Sequence, residues 1–244
     1  MNLVLVEPEE IGTAGELTLS GAQAAHLVNV LHVAQGYSVR VGTVDGPRGI
    51  ATVQSIDNGA VTLRCELESG IPPRPNLDLL LAVPRPKVMR RLWAQIAALG
   101  VGRIILTNAE KVERNYFDTH ILSPETYRPL LIEGLQQSRD TRLPLVTIHR
   151  QFRPLVEDQL DGLFGNGLRV VADPSATTPL GEVARASGEE RMLLAIGPEG
   201  GWNAFELGLL QAHRFQPAGM GPRTLRSDTA CVALLALAHA ARSG

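Results

Sequence analysis

Three prolines in six residues, Ile71-Pro72-Pro73-Arg74-Pro75-Asn76, divide this sequence into two stretches of different rhythm. Proline fixes φ near about −65° and removes a backbone donor, so such a run suits a stiff linker and neither a helix nor a central strand. Before it, residues 1–70 read as mostly β. Short β-rich pieces, Ser38–Val41, Ile50–Val53 and Ala60–Cys65, are separated by the turn signals Asp45-Gly46-Pro47 and Asp57-Asn58-Gly59. One helix is predicted over Ser20–His32, with Leu27, Val30 and Leu31 on one face. Many short strands joined by tight turns suggest a small barrel.

After the prolines the pattern alternates. Leu77–Val83 is an unbroken apolar run, as in a strand covered on both faces. Helical spacing follows over Lys87–Leu99 and stops at Gly100. Further strands are predicted at Arg103–Thr107, Leu145–His149, Leu168–Ala172 and Met192–Ile196. Helices are predicted at Pro124–Arg139, Phe152–Leu163, Pro179–Ala186, Ala204–His213 and Thr229–Arg242. Alternating β and α implies an α/β fold for residues 77–244, a mostly parallel sheet with helices on both faces. Ligands of such sheets sit at the carboxyl ends of strands, which marks the loops after Ala172, Ile196 and Gly219.

Composition narrows the function classes. With 23 Lys+Arg against 25 Asp+Glu, bulk charge does not hold this chain to a nucleic acid. The charge is nevertheless segregated. Residues 84–91 carry Arg85, Lys87, Arg90 and Arg91 with no acid, and 139–153 carry Arg139, Arg142, Arg150 and Arg153 against Asp140 alone. Residues 154–207 hold nine acids and three arginines. A segregated basic face is the footprint of a phosphate-rich partner, and ordinary solvated helix faces are the other reading. The two cysteines, Cys65 and Cys231, lie far apart, which disfavours a disulfide framework and a cysteine zinc site. The first ten residues lack the pattern of a signal peptide. The longest apolar stretch, Ala230–Ala241, is too short to span a bilayer, so a cytoplasmic location is expected. No P-loop, H-E-x-x-H or G-x-S-x-G occurs, and Gly100-Val101-Gly102 precedes a strand, unlike a dinucleotide fingerprint.

Two loops carry chemistry. In Ile196-Gly197-Pro198-Glu199-Gly200-Gly201-Trp202-Asn203, three glycines follow a strand, and Asn203 with Glu206 resembles a capping box. Glycines there admit a ligand close to backbone N–H groups, although a plain strand-to-helix turn would look the same. The second, Gly219-Met220-Gly221-Pro222-Arg223-Thr224-Leu225-Arg226-Ser227-Asp228-Thr229-Ala230, places two arginines before an almost wholly apolar, hence buried, helix. Ser227 or Asp228 could simply cap that helix.

Taken in order, these two loops resemble the paired C-terminal motifs of the ribosomal small-subunit RNA methyltransferase E family, of the SPOUT superfamily. His26-Leu27-Val28-Asn29-Val30-Leu31-His32-Val33 is similar to that family's "H…VLR" segment, and the resemblance covers nearly the whole chain. Arg223 and Arg226 match. The family usually has Glu at the place of Asp228, and often Glu-Gln-x-x-Arg where this chain reads Leu135-Gln136-Gln137-Ser138-Arg139. The resemblance implies a PUA-like RNA-binding barrel over residues 1–70, a linker over 71–76 and a SPOUT methyltransferase domain over 77–244. It further implies a C-terminal trefoil knot and a homodimer.

The activity implied is S-adenosylmethionine-dependent methylation of uridine N3 in 16S rRNA of the small subunit, without a metal. Cofactor contacts would come from Ala195, Ile196, Gly197, Pro198, Glu199, Gly200 and Gly201, and from Met220, Gly221, Pro222, Leu225, Arg226, Thr229 and Ala230. Arg226 would meet the charge that develops on the uracil, with Asp228 or Glu199 as candidate bases. Arg85, Lys87, Arg90, Arg91, Arg139, Arg142 and Arg223 would contact RNA. A non-catalytic RNA-binding or ribosome-assembly factor, and a SPOUT enzyme acting on another RNA, are the competing expectations.

Overall fold

A computed structural model describes residues 3–188, 190–223 and 225–242. The chain forms two compact units. One comprises residues 1–74 with 131–143, the other 75–130 with 144–244.

The first unit holds a five-stranded mixed sheet of order β1-β3-β4-β5-β2. Its members are β1 (Val4–Val6), β2 (Glu16–Leu19), β3 (Ser38–Thr43), β4 (Arg48–Asp57) and β5 (Ala60–Leu67), with helix α1 (Gly21–Asn29) between β2 and β3. Side chains of β2 and β5 alternate between buried and exposed, as expected of a sheet with one face on a core. That core gathers Val6, Leu17, Leu19, Leu27, Val41, Val53 and Leu63. The β4–β5 hairpin turns at Asn58 (φ 49°) and Gly59 (φ 79°), the two positive φ values that such a two-residue turn demands. Helix α1 ends three residues before the predicted end. Val30 and Leu31, expected on its apolar face, are exposed. Residues 139–143 pack on the β3–β4 turn, where the Thr141 hydroxyl donates to the Gly46 carbonyl at 2.7 Å. Arg142 donates to the Asp45 carbonyl at 3.0 Å and lies 3.5 Å from its carboxylate.

The second unit is an all-parallel six-stranded sheet of order β11-β9-β10-β6-β7-β8. Its strands are β6 (Leu77–Ala82), β7 (Arg103–Thr107), β8 (Leu145–His149), β9 (Leu168–Ala172), β10 (Met192–Ile196) and β11 (Phe215–Ala218). The central strands β6 and β10 are buried at every residue, which explains their unbroken apolar runs. The expected α/β class with a parallel sheet is thus present. The sequence reading missed β11 because it contains Pro217. A proline is tolerated there because β11 is an edge strand, where a missing N–H breaks no central ladder.

Helix α2 (Pro86–Ala98) stops where Gly100 takes φ 73°, as predicted. Helix α3 (Pro124–Ser138) begins in this unit, and its last turns group with the first. The stretch predicted as one helix from Phe152 is broken: α4 (Phe152–Pro154), a π-helical segment (Leu155–Gln159) and α5 (Leu160–Phe164). Then follow α6 (Leu180–Ala186), α7 (Ala204–Ala212) and α8 (Ser227–Arg242). Helix α8 packs on α2 and α6 through one stripe, Cys231, Leu234, Leu235 and Ala238. This corrects the expectation of a helix buried on all sides, since Leu237 is 42% exposed. Among the described residues no helix is long and apolar enough to cross a membrane.

Candidate functional site

The strand order reverses between β6 and β10. From β6 the chain steps outward to β7 and β8, then crosses to β9 on the far side. Such switch points open a crevice at the carboxyl ends of the strands. Here the crevice is a cavity of about 370 Å³ at the ends of β9, β10 and β11. That volume lies within the roughly 300–1,000 Å³ of small-molecule sites.

The wall after β10 is built by capping. Asn203 Oδ1 accepts the Glu206 N–H and Glu206 Oε2 accepts the Asn203 N–H, both at 2.8 Å, forming the predicted capping box at the start of α7. Glu206 is buried, and its other oxygen accepts the Glu110 N–H at 2.7 Å from the loop after β7. Lys111 of that loop donates to the Gly200 carbonyl at 2.6 Å. Gly201 turns the chain at φ 69°. The Trp202 ring stacks at a tilt on Phe152, centroids 5.2 Å apart. A Cβ on Gly197 would stand 3.1 Å from that indole, so the tryptophan fits only over a glycine.

The wall after β11 is set by backbone. Gly219 donates to the Thr178 carbonyl and accepts from Leu180 N–H, and a Cβ there would stand 3.0 Å from the Asp173 carbonyl oxygen. Gly221 follows at φ +106°, a conformation for glycine. Thr224 of the second motif lies outside the described residues. Ser227 opens α8 and is buried against the cavity.

Of the sequence-predicted cofactor residues, Ile196 through Gly201, Met220, Gly221, Leu225 and Ala230 line this cavity. Ala195 is buried one residue inside β10. Pro222, Arg226 and Thr229 are exposed and outside the lining. Arg223, expected to face RNA, lines the cavity instead of standing apart from it. Sequence reasoning named no residue in the first wall, Ala172–Asp173–Pro174, although the strand-end rule pointed to that loop. It did not name Trp202 or Gly219 as cofactor contacts and offered Ser227 only as a helix cap, although all three line the cavity.

The rim is charged. Arg85 Nε lies 3.1 Å from Glu199 Oε2, and Arg91 Nη2 donates to Asp228 Oδ2 at 2.9 Å. Asp228 Oδ1 accepts the Thr229 N–H at 3.0 Å and stands 3.9 Å from Arg226 Nε. The Arg91 hydrogen bond above all, then the Thr229 N–H and nearby Arg226, holds the Asp228 carboxyl below the usual carboxylate range despite opposing desolvation. A carboxylate so held is a weak proton acceptor. Thus two arginines expected to face RNA, Arg85 and Arg91, are engaged with the site's own carboxylates, whereas Lys87 and Arg90 of the same cluster are exposed. Arg139 is exposed in the first unit, at φ 62°, and Arg142 there is half-buried on Asp45. Burial pushes the Cys231 thiol up to about 12, so it stays protonated and inert at neutral pH.

With this geometry in view, comparison with known proteins is decisive. The RNA methyltransferase domain family matches residues 72–239. The ribosomal RNA small subunit methyltransferase E of Treponema pallidum is 32% identical over 250 residues, covering 98% of this chain and 92% of its own. This chain belongs to the ribosomal RNA small subunit methyltransferase E family. A solved member of that name from Neisseria gonorrhoeae, bound to S-adenosyl methionine, superposes with a TM-score of 0.75 at 20% identity. The match covers 97% of this chain and 95% of that one. A SpoU methyltransferase of Streptomyces viridochromogenes, in complex with AdoMet, shares the fold more distantly, at TM-score 0.50 and 16% identity over 95% and 92% of the two chains. The family membership makes this chain an RNA methyltransferase, and the shared fold agrees with it.

Proposed function

We propose that this chain catalyses S-adenosylmethionine-dependent methylation of uridine N3 in the 16S rRNA of the small ribosomal subunit. The observation that carries the reading is the glycine-walled cavity at the switch point, in a member of a ribosomal RNA methyltransferase family. The residues present fit that cofactor. Cβ atoms on Gly197 and Gly219 would crowd the walls, and Ile196, Leu225 and Leu234 offer apolar surface. Trp202 Nε1 and Ser227 Oγ are buried beside the cavity with no hydrogen-bond partner in the protein, as groups that await a ligand or water would be.

The cofactor, when bound, supplies a methyl group activated on a sulfonium. The backbones of Ala195–Gly201, of Met220 and Gly221, and of Leu225, with Ala230 behind them, would hold it. Alignment of methyl group and nucleophile then supplies much of the rate. Uracil N3 must lose its proton, and the resulting charge spreads onto the carbonyl oxygens. Arg226, exposed at the mouth, meets that charge. Glu199 takes the proton, directly or through water. Asp228, kept ionised by Arg91, is the poorer acceptor. Lys87 and Arg90 with Arg223 on one unit, and Arg139 and Arg142 on the other, contact RNA phosphates, which positions without specifying. The target base is unpaired or flipped out of its stack.

Residues 1–70, grouped with 131–143, belong to a PUA-like RNA-binding barrel, 71–76 to the linker and the rest of 77–244 to a SPOUT domain, with roughly the last third of the chain in a trefoil knot. The protein works in the cytoplasm as a homodimer. The resemblance supports these assignments.

The test is methyl transfer from labelled S-adenosylmethionine to small subunits that lack the modification, with the methylated nucleoside identified by mass spectrometry. Arg226→Ala is expected to lower turnover by roughly 10²–10³-fold, with cofactor affinity by calorimetry unchanged. Unaltered turnover would remove the role given to Arg226. Failure of the folded protein to bind the cofactor, with and without RNA, would overturn the function.

A further inference from the structure

Helix α2 and the segment before it send Arg85 to Glu199 in the loop after β10 and Arg91 to Asp228 in the first turn of α8. The Arg91–Asp228 pair sits beside the residue proposed to stabilise the reacting base, and its geometry is asymmetric. Arg91 occupies Asp228 Oδ2 at 2.9 Å, and the Thr229 N–H occupies Oδ1 at 3.0 Å. Arg226 Nε stands 3.9 Å from Oδ1, beyond a hydrogen bond, and its side chain is 78% exposed. Arg226 therefore lies two residues from a carboxylate that it approaches without joining.

A guanidinium and a carboxylate prefer to meet through two parallel N–H···O bonds, and such a fork is the strongest form of the pair. That fork needs both carboxylate oxygens. Arg91 already holds one of them, from an element 137 residues away in sequence. A guanidinium locked into a fork has its charge neutralised and its donors used. It has little left for a developing oxyanion.

We infer that Arg91 is a positioning residue for methyl transfer: by engaging Asp228 Oδ2 it prevents Asp228 from closing on Arg226, and so keeps the Arg226 guanidinium available to the charge on the target uracil. The inference rests on the role proposed above for Arg226. It gives Arg91 a function distinct from gripping RNA, the role its place in a basic cluster suggests. Arg91 is itself 57% exposed, and when it is removed Asp228, 20% exposed, keeps the Thr229 N–H and the nearby Arg226.

The test compares full-length Arg91→Ala, Arg91→Lys, Arg226→Ala and the double variant Arg91→Ala/Asp228→Asn in single-turnover and steady-state methyl transfer. Arg91→Ala is expected to lower kcat about tenfold or more, a part of the roughly 10²–10³-fold that loss of a stabilising donor costs. Its KM for the small subunit and its calorimetric Kd for S-adenosylmethionine are expected to stay near the parent values. Arg91→Lys, which keeps a cation on Oδ2, retains most of the rate. The double variant regains most of what Arg91→Ala loses, because a neutral amide cannot sequester Arg226. A purely structural role for Arg91 predicts no such recovery. A double variant no faster than Arg91→Ala overturns the inference, as does an Arg91→Ala whose defect lies in KM alone. Arg226→Ala that is inactive beside a normal Arg91→Ala overturns this inference only. Arg226→Ala with normal turnover overturns the proposed role of Arg226 and this inference with it.

Discussion

The two glycine-bearing walls of the cavity differ in what stands behind them. Behind Gly219 is backbone: the Asp173 carbonyl oxygen at 3.0 Å and that of Ala176 at 3.1 Å from a Cβ placed there. Behind Gly200 is the aliphatic stem of Lys111, with Cδ 2.6 Å from such a Cβ. The carbonyls of the turn after β9, where Asp173 N–H donates to the Ala218 carbonyl and Ala176 N–H to the Asp173 carbonyl, retreat only with the backbone, whereas a lysine stem can rotate away. One wall is therefore rigid, and the other is strapped by a side chain. A similar motif of small residues does not imply a similar tolerance to change.

The sharpest way to break the comparison is Gly219→Val. Its branched side chain meets backbone, and overpacking of this kind costs about 1–3 kcal/mol. Loss of S-adenosylmethionine binding is expected in calorimetry, with a lowered melting temperature. Next comes Glu206→Ala. It removes the acceptor from the part-buried N–H groups of Asn203 and Glu110, for a combined cost of about 1–3 kcal/mol because water reaches part of each site. A stability loss of that order is expected in urea unfolding, and Glu206→Gln, which keeps one acceptor, should lose less. Gly200→Ala should do far less, moving stability within ~0.5 kcal/mol. If Gly200→Ala proved as damaging as Gly219→Val, the distinction between the walls would fail.

The smallest effect is a titration. The Asp228 carboxyl titrates lower in the folded protein than when unfolded, so its contribution to stability is present above the ordinary value of about 3.9 and is lost as pH falls through the lower folded value. Its partners are exposed, so the gain is within ~1 kcal/mol. Carbonyl NMR should place its midpoint below about 3.9, rising toward that value in Arg91→Ala.

What was legible in the sequence follows the same division. Local chemistry read well. The Asn203–Glu206 box, the Gly100 stop, the Asn58-Gly59 turn and the buried runs of β6 and β10 each depend on residues close together in the chain. Long-range chemistry did not. Nothing in the sequence says that Arg91 reaches Asp228, or that Glu206 caps Glu110 as well as Asn203. Strand β11 was lost to Pro217, because its edge position is a property of the sheet and not of the segment. The break at Leu155–Gln159 left no mark either, since a π-helical turn uses the same residue types as an α-helical one. Ten of the twenty residues lining the cavity were nonetheless named in advance as cofactor contacts, because they lie in two contiguous loops.

The indole beside Gly197 has a practical consequence. The sequence contains two tryptophans, Trp93 and Trp202. Trp93 is fully buried, with its N–H donated to the Ile121 carbonyl at 3.0 Å and its ring beside Tyr127. Trp202 lines the cavity with its N–H unclaimed. The protein thus carries a constant emitter and a responsive one. A ligand that enters the cavity should change the colour and intensity of the second against the steady background of the first. Occupancy of the site can then be followed by light alone, in the unmodified protein and on the time scale of mixing.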